Sequence, residues 1–411
     1  MSYTGINLEN VKISNRSAIL KLLSDNGAMS RKDIASALGL TPATVTLICT
    51  EFLSSGVLCE KGMIEEQKKA GRKKVLLDIN YQYRDILAIC IESDKTYITI
   101  TDMKGRVFAR KTFPTDGSVE PKLFLKKIAD ESKDLMQEQG ISKNRIMGAG
   151  VSLPGLVNRR EGMSVFAYRI WNRTVPVREY LQEFLEIPVI VENNVKAFAE
   201  GEMIYGIGKK HENLLFIKWG PGVGSAIVID DQIYDSQNSK TAEIGHYIVE
   251  KDGKQCRCGR RGCLETKIST HAVVEQVRQQ CNPTYMPGLY QLVGGDLEKI
   301  AASNIMDWSS VKDQGLEEIL DRIIELFARV VVNTMTLLAP DKVIIYGYMF
   351  DLQGVQERFL DDCAHYDPAY KNGYILKSCL SSNLDYIGPL AIVMNEQFLM
   401  AGMIDEGGKK A

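Results

Sequence analysis

The chain has 411 residues, 45 % of them hydrophobic and 25 % charged, with a net charge of −2 and nine cysteines. This composition suits two to four globular domains and excludes a disordered chain, a collagen and a disulfide mini-protein. No apolar run approaches the ~20 residues that span a bilayer, and Met1–Asn10 lacks a signal-peptide core, so a cytoplasmic protein without membrane insertion is expected.

The first 80 residues carry 11 Lys and Arg against 8 Asp and Glu, so a +3 segment precedes a remainder of −5. Residues 14–25 predict a helix with Ile19, Leu20, Leu22 and Leu23 as its apolar positions, ended by Gly27. Ser30-Arg31-Lys32-Asp33 forms a capping-box pattern that opens a short helix to Leu38. Gly39 makes the turn. Thr41 then caps a third helix with Pro42 at its first position, where the missing N–H costs nothing. That helix places Val45, Ile48, Cys49, Phe52 and Leu53 on one face, and short side chains (Ala43, Thr44, Thr46, Thr50) on the other. Residues 57–59 and 75–79 predict a hairpin with a basic tip over 68–74. Helix-turn-helix plus basic hairpin is a winged-helix DNA-binding module. Arg31, Thr41, Ala43, Thr44 and Thr46 are the DNA contacts expected from the helices. Arg72, Lys73 and Lys74 are expected at phosphates or a minor groove.

Beyond residue 81 the pattern becomes α/β. Strands are predicted at 86–92, 97–102 and 107–112, a helix at 121–139, a strand at 146–153, a helix at 177–184, a strand at 188–191 and a helix at 195–204. A second run follows with strands at 214–219, 225–229 and 232–234, a helix at 316–338, a strand at 342–346, and helices at 355–364 and 387–401. Two blocks of three strands followed by helices predict a duplicated α/β unit with a cleft between its halves.

Three cysteines, Cys256, Cys258 and Cys263, fall within eight residues with Gly259 and Gly262 between them, and His246 lies ten residues before the first. Three thiolates and an imidazole suit a closed tetrahedral zinc site, structural rather than catalytic. The other six thiols read as core residues. Gly220-Pro221-Gly222-Val223-Gly224 fits a phosphate-approaching loop or a plain tight turn. Asn193 and Asn194, at a strand end and helix start, fit hydroxyl recognition or capping by Asn194.

Five segments together resemble the ROK family of bacterial repressors and sugar kinases: GAGVSLPGLV (148–157), VENNVKAFAEGE (191–202), GPGVGSAIVIDDQIY (220–234), EIGH (243–246) and CRCGRRGCLE (256–265). The front end, with AGRKKVLLDIN (70–80) as junction, is similar to the repressor branch typified by the xylose and N-acetylglucosamine repressors. The resemblance implies a two-lobed actin/hexokinase-like domain behind the winged helix, and a homodimer. The expected boundaries are 1–80 for the DNA head, 81–192 plus 387–403 for a smaller lobe, and 193–386 for a larger lobe with the zinc site and dimer surface. It implies one structural zinc per chain on His246, Cys256, Cys258 and Cys263. It also implies carbohydrate contacts from Gly155, Asn193, Asn194, Glu243, His246 and Glu265.

The departures bear on activity. Family kinases carry an aspartate base where this chain has Asn194, and an amide cannot take a hydroxyl proton. Glu92-Ser93-Asp94-Lys95-Thr96 lacks the glycines of the kinase phosphate loop, and Tyr346-Gly347-Tyr348 replaces an adenosine-side Gly-Gly. The expectation is a catalytically inactive, sugar-responsive repressor that binds double-stranded operator DNA and a carbohydrate effector. The alternatives are control by a partner protein such as a sugar-transporter component, and an active sugar kinase.

Overall fold

A computed structural model describes residues 8–64, 74–236, 240–371 and 373–402. The chain forms two compact units, Met1–Tyr205 with Asn383–Ala411, and Gly206–Ser382.

The first unit begins with α1 (Leu8–Asn26), β1 (Met29–Ser30), α2 (Arg31–Leu38), α3 (Pro42–Ser54), β2 (Leu58–Ile64) and β3 (Lys74–Ile79). The strands form an antiparallel sheet in the order β1-β3-β2, and β1 is an element the pattern did not predict. The N-caps and the turn act as read, while the Asp33 carboxylate takes its bond from the Ser30 hydroxyl in place of the backbone N–H of a capping box. Ser30 Oγ accepts from the Asp33 N–H and donates to its carboxylate at 2.7 Å, Gly39 ends α2 at φ +63°, and Thr41 Oγ1 accepts from the Thr44 N–H. Ile19, Leu20, Leu23, Ile34, Val45, Ile48, Phe52, Leu77 and Ile79 are buried, while Leu22 and Leu53 are half-buried.

The rest of this unit is β4 (Asp85–Ile91), β5 (Lys95–Asp102), β6 (Val107–Pro114), α4 (Pro121–Glu138), β7 (Ile146–Leu153), the β8–β9 hairpin (Leu156–Asn158, Met163–Phe166), α5 (Val177–Leu185), β10 (Val189–Asn193) and α6 (Asn194–Tyr205). The sheet order is β10-β7-β4-β5-β6. The meander β4-β5-β6 is antiparallel, and β7 and β10 run parallel to β4 through the helical crossovers α4 and α5.

The second unit contains β11 (Leu214–Trp219), β12 (Val223–Ile229), β13 (Gln232–Ile233), α7 (Glu265–Ile268), α8 (Thr270–Gln280), α9 (Pro287–Leu292), α10 (Ile305–Trp308), α11 (Gln314–Leu338), β14 (Lys342–Tyr346), α12 (Val355–Tyr366) and β15 (Ile375–Lys377). Its sheet order, β13-β12-β11-β14-β15, repeats the first: an antiparallel meander, then two parallel strands reached by crossovers. The matching topology is the duplication that the strand pattern predicted. Trp219, Phe327, Phe350 and Phe359 pack edge-on and tilted at its core.

The chain returns to the first unit as α13 (Ile387–Val393), and the predicted single helix changes to a π-helix over Met394–Leu399. α13 packs on α6, β7 and β4 so closely that a Cβ at Gly150 would overlap the carbonyl oxygen of Pro389. The contact with α6 moves the expected boundary at 192/193 to 205/206, because α6 belongs with the helix it packs on. The return boundary falls at 382/383. The DNA head is not separate from this unit, since α1 packs against the π-helix and Gly402 lies against Arg16. Among the described residues no helix is long and apolar enough to cross a membrane.

Candidate functional site

His246 and the three clustered cysteines meet in the second unit. The chain folds back after the short helical turn Ile244–His246, with bridges Ile248–Cys263 and Gln255–Arg261 closing the loop. Gly262 is needed there: its φ is +69° and a Cβ would overlap the Glu250 carbonyl. All four donor atoms lie within 4.8 Å of one another. Cys256 Sγ is 3.6 Å from His246 Nδ1, and Cys258 Sγ is 3.6 Å from Cys263 Sγ. Tetrahedral ligands at zinc distances are separated by about 3.8 Å, so the arrangement can hold a metal ion. Burial and the charge of Arg260 hold the His246 pKa down to about 4, which leaves a neutral ring with a lone pair to offer. Burial pushes Cys263 up to about 12. Burial also opposes the Cys258 thiolate, but hydrogen bonds from the Arg260 N–H and the neighbouring thiols outweigh it, and the pKa falls.

The other ring nitrogen, Nε2, lies 3.6 Å from Glu243 Oε2. Glu265 opens α7 and accepts from the Val223 N–H at 3.3 Å, so its carboxylate lies against the Gly220–Gly224 turn. That turn is closed by its own backbone, Gly220 N–H to Gly222 carbonyl at 3.0 Å. The Tyr348 ring lies beside Gly220 and its hydroxyl donates to Thr270 Oγ1 at 2.8 Å.

In the first unit, Asn193 ends β10 and caps α6. Its Oδ1 accepts from the N–H groups of Val195 and Lys196, and its Nδ2 donates to the Gly155 carbonyl at 2.8 Å. Asn193 is therefore the cap that sequence reading offered to Asn194. Asn194 instead donates from Nδ2 to Glu92 Oε1 at 2.8 Å. Glu92 begins a tight turn, its N–H bonded to the Lys95 carbonyl.

Behind Asn193 lies an ionic cluster. Arg159 Nη1 bonds Glu200 and lies 3.3 Å from Glu192, and its Nη2 lies 3.2 Å from Glu396. Glu192 also accepts from the Asn193 N–H at 2.6 Å. Burial pushes the Glu192 pKa up to about 7, against the pull of Arg159. Burial disfavours the Arg159 charge, yet Glu200 and Glu192 outweigh it and raise its pKa.

On the head, Ala43, Thr46, Leu47 and Thr50 are exposed along α3, while Thr44 is half-buried with its hydroxyl 2.9 Å from that of Thr41. Arg31 and Lys32 line an open groove of about 370 Å³ together with Leu40, Pro42 and Thr46.

Residues 86–382 match the model of the ROK family, and residues 14–64 match a winged helix-turn-helix DNA-binding model. The chain belongs to the ROK family. Within sequence relatives, a xylose repressor of Caldicellulosiruptor bescii is 27 % identical over 269 residues, 66 % of this chain and 67 % of that protein. The N-acetylglucosamine repressor of Escherichia coli O6:H1 is 24 % identical over 365 residues, 87 % of this chain and 86 % of that protein. In fold, this ROK chain matches a crystal structure described as a ROK family transcriptional regulator and homologue of the E. coli MLC protein. The TM-score is 0.80 at 22 % identity, over 95 % of this chain and 97 % of that one.

The ROK residues singled out from sequence fall into three groups. His246, Cys256, Cys258 and Cys263 are brought together. Gly155, Asn193 and Asn194 belong to the first unit, where Asn193 bonds Gly155, and Glu243, His246 and Glu265 belong to the second. Arg31, Thr41, Ala43, Thr44 and Thr46 lie on the head with Lys74, whose ammonium is 4.0 Å from Asp33. Arg72 and Lys73 lie outside the described residues. Of the six thiols read as core, Cys49, Cys90, Cys281 and Cys363 are buried, Cys59 is half-buried and Cys379 is exposed, because its segment follows the short edge strand β15. Sequence reading missed Leu47, which the spacing from Ala43 would have placed on the exposed face. It also missed Arg159 with Glu192, Glu200 and Glu396, whose separation along the chain gives no local signal.

Proposed function

We propose that this protein is a carbohydrate-responsive transcriptional repressor that binds operator DNA as a homodimer and carries out no phosphoryl transfer. The observation that carries the reading is a winged helix-turn-helix joined to a ROK domain in one chain. Its similarity to a protein named N-acetylglucosamine repressor extends over 87 % of the chain. In a dimer, two α3 helices would enter successive major grooves, each through Thr41, Ala43, Thr44 and Thr46. Arg31, Arg72, Lys73 and Lys74 would contact phosphates or an adjoining minor groove.

The proposed carbohydrate contacts are Gly155, Asn193, Asn194, Glu243, His246 and Glu265. Zinc on His246, Cys256, Cys258 and Cys263 would be structural, since four protein donors leave no open position. It would also hold the His246 ring with Nε2 toward Glu243, setting the tautomer offered to a sugar hydroxyl. The absence of catalysis is supported by Asn194: its amide is engaged with Glu92 and cannot accept a proton from a substrate hydroxyl. Tyr348 against the Gly220 turn supports the same reading.

A ligand changes operator affinity only by preferring one of two states of the protein. The test is fluorescence anisotropy on operator fragments selected by the full chain, with a sugar panel added, beside thermal shift on the same panel. One sugar should raise the melting temperature and change operator affinity. Operator binding with no sugar response would move the signal to a partner protein such as a sugar-transporter component. ATP-dependent phosphorylation of a sugar would overturn the non-enzyme reading.

A further inference from the structure

The exposed face of α3 carries a chemistry that its residue types alone do not announce. Ala43, Thr46, Leu47 and Thr50 follow i, i+3, i+4, i+7 spacing and are all exposed. Thr46 donates its hydroxyl proton to the Pro42 carbonyl at 2.7 Å, and Thr50 donates to the Thr46 carbonyl at 2.8 Å. Each threonine has one hydroxyl proton, so what it offers outward is a methyl group and oxygen lone pairs. Leu47, at the centre of the face, is 59 % exposed although Ile48 and Cys49 beside it are buried.

Each base makes a different demand in the major groove. Guanine is read by Arg or Lys, adenine by Asn or Gln, cytosine by a carboxylate, and thymine by apolar contact with its C5 methyl. This face holds no Arg, Lys, Asn or Gln. The nearby carboxylate, Glu51, is held by Arg16 at 2.6 Å and Lys12 at 3.4 Å. The groove bordered by Arg31 and Lys32 adjoins Thr46, so cations that suit phosphates flank an apolar stripe. That charge arrangement selects a polyanion presenting methyl groups over another protein surface.

We infer that the α3 face reads thymine C5-methyl groups in the major groove, with Leu47 as the principal contact and Ala43 and the Thr46 methyl beside it. This rests on the DNA-binding reading above and deepens it to a base preference.

The test selects tight duplexes from a random-sequence library with the full chain, then replaces each thymine of the selected site by deoxyuridine, one at a time. The wild-type protein should lose about fourfold affinity at one or more thymines in each half-site, the worth of one buried methyl. Leu47→Ala, a change at an exposed position, should bind the thymine site more weakly and lose most of that penalty. Tight, sequence-selective binding with no deoxyuridine penalty at any thymine would overturn the methyl readout while leaving the DNA-binding function intact. Failure to select any duplex would overturn both. A Leu47→Ala protein that changes oligomeric state but keeps the full penalty would assign Leu47 to a protein contact and overturn its role here.

Discussion

Replacing Arg159 by methionine should destabilise the fold by about 3–5 kcal/mol at pH 8 and by far less at pH 5. The change keeps an unbranched side chain of similar length but removes the charge that three carboxylates share. Glu192 and Glu200 are buried and Glu396 is partly exposed, so the first two carry the effect. Even with Arg159 in place, Glu192 sits at about 7, above its ordinary 4.5. The native state therefore binds this proton more tightly than the unfolded chain, and stability falls as pH rises from about 4.5 to about 7. At about 1.4 kcal/mol per unit, that rise is worth roughly 3 kcal/mol in the native protein. Without the guanidinium the folded pKa climbs further. At pH 8 the carboxylate must then either stay charged and unpaired or take up a proton, at a cost of up to about 5 kcal/mol, of which roughly 3 is already borne with Arg159 present. Glu192 therefore adds about 2 kcal/mol, and the rest of the loss comes from leaving the buried Glu200 carboxylate without its cation. At pH 5 most of that cost is gone. Urea denaturation of both proteins at pH 5 and pH 8 measures the difference, and Glu192→Gln in the Arg159→Met background should recover much of the loss. A destabilisation equal at the two pH values, or below about 1 kcal/mol at pH 8, would refute the reasoning.

Metal analysis of the purified protein should find about one zinc per chain, and Cys258→Ser should lower both the zinc content and the melting temperature; a protein that folds and responds equally well without metal would remove the structural role. Asn193→Ser should still cap α6 but lose the Nδ2 bond to the Gly155 carbonyl, costing about 1 kcal/mol by urea denaturation, and lose the proposed carbohydrate response in the anisotropy assay. An unchanged response would take Asn193 out of the effector site.

The helix-turn-helix was legible because its determinants are local. Ser30, Gly39, Thr41 and Pro42 each act within one helical turn of where they sit, and the structure uses each as capping chemistry requires. The metal-type cluster was legible for a related reason: three thiols within eight residues, wrapped by two positive-φ glycines, have few ways to stay apart. The duplicated topology followed from the order of strand and helix patterns, since parallel strands require crossovers. Least legible were the asparagines. Neighbours in sequence, Asn193 and Asn194 point to different partners: one closes the strand–helix junction onto Gly155, and the other reaches Glu92, 102 residues away in sequence.

The amino-acid sequence by itself determined the kind of molecule this is: a DNA-binding head on a ROK domain, with a Cys₃His cluster and the order of its elements. Those properties depend on side chains a few residues apart, or on the order in which patterns repeat. Only the tertiary structure decided that α6 belongs with the first unit, that the last helix ends in a π-turn, and that Arg159 gathers carboxylates from β10, α6 and the chain's final segment. Each depends on which distant surfaces come to lie against one another, and a buried charge must find its partners wherever the packing leaves them.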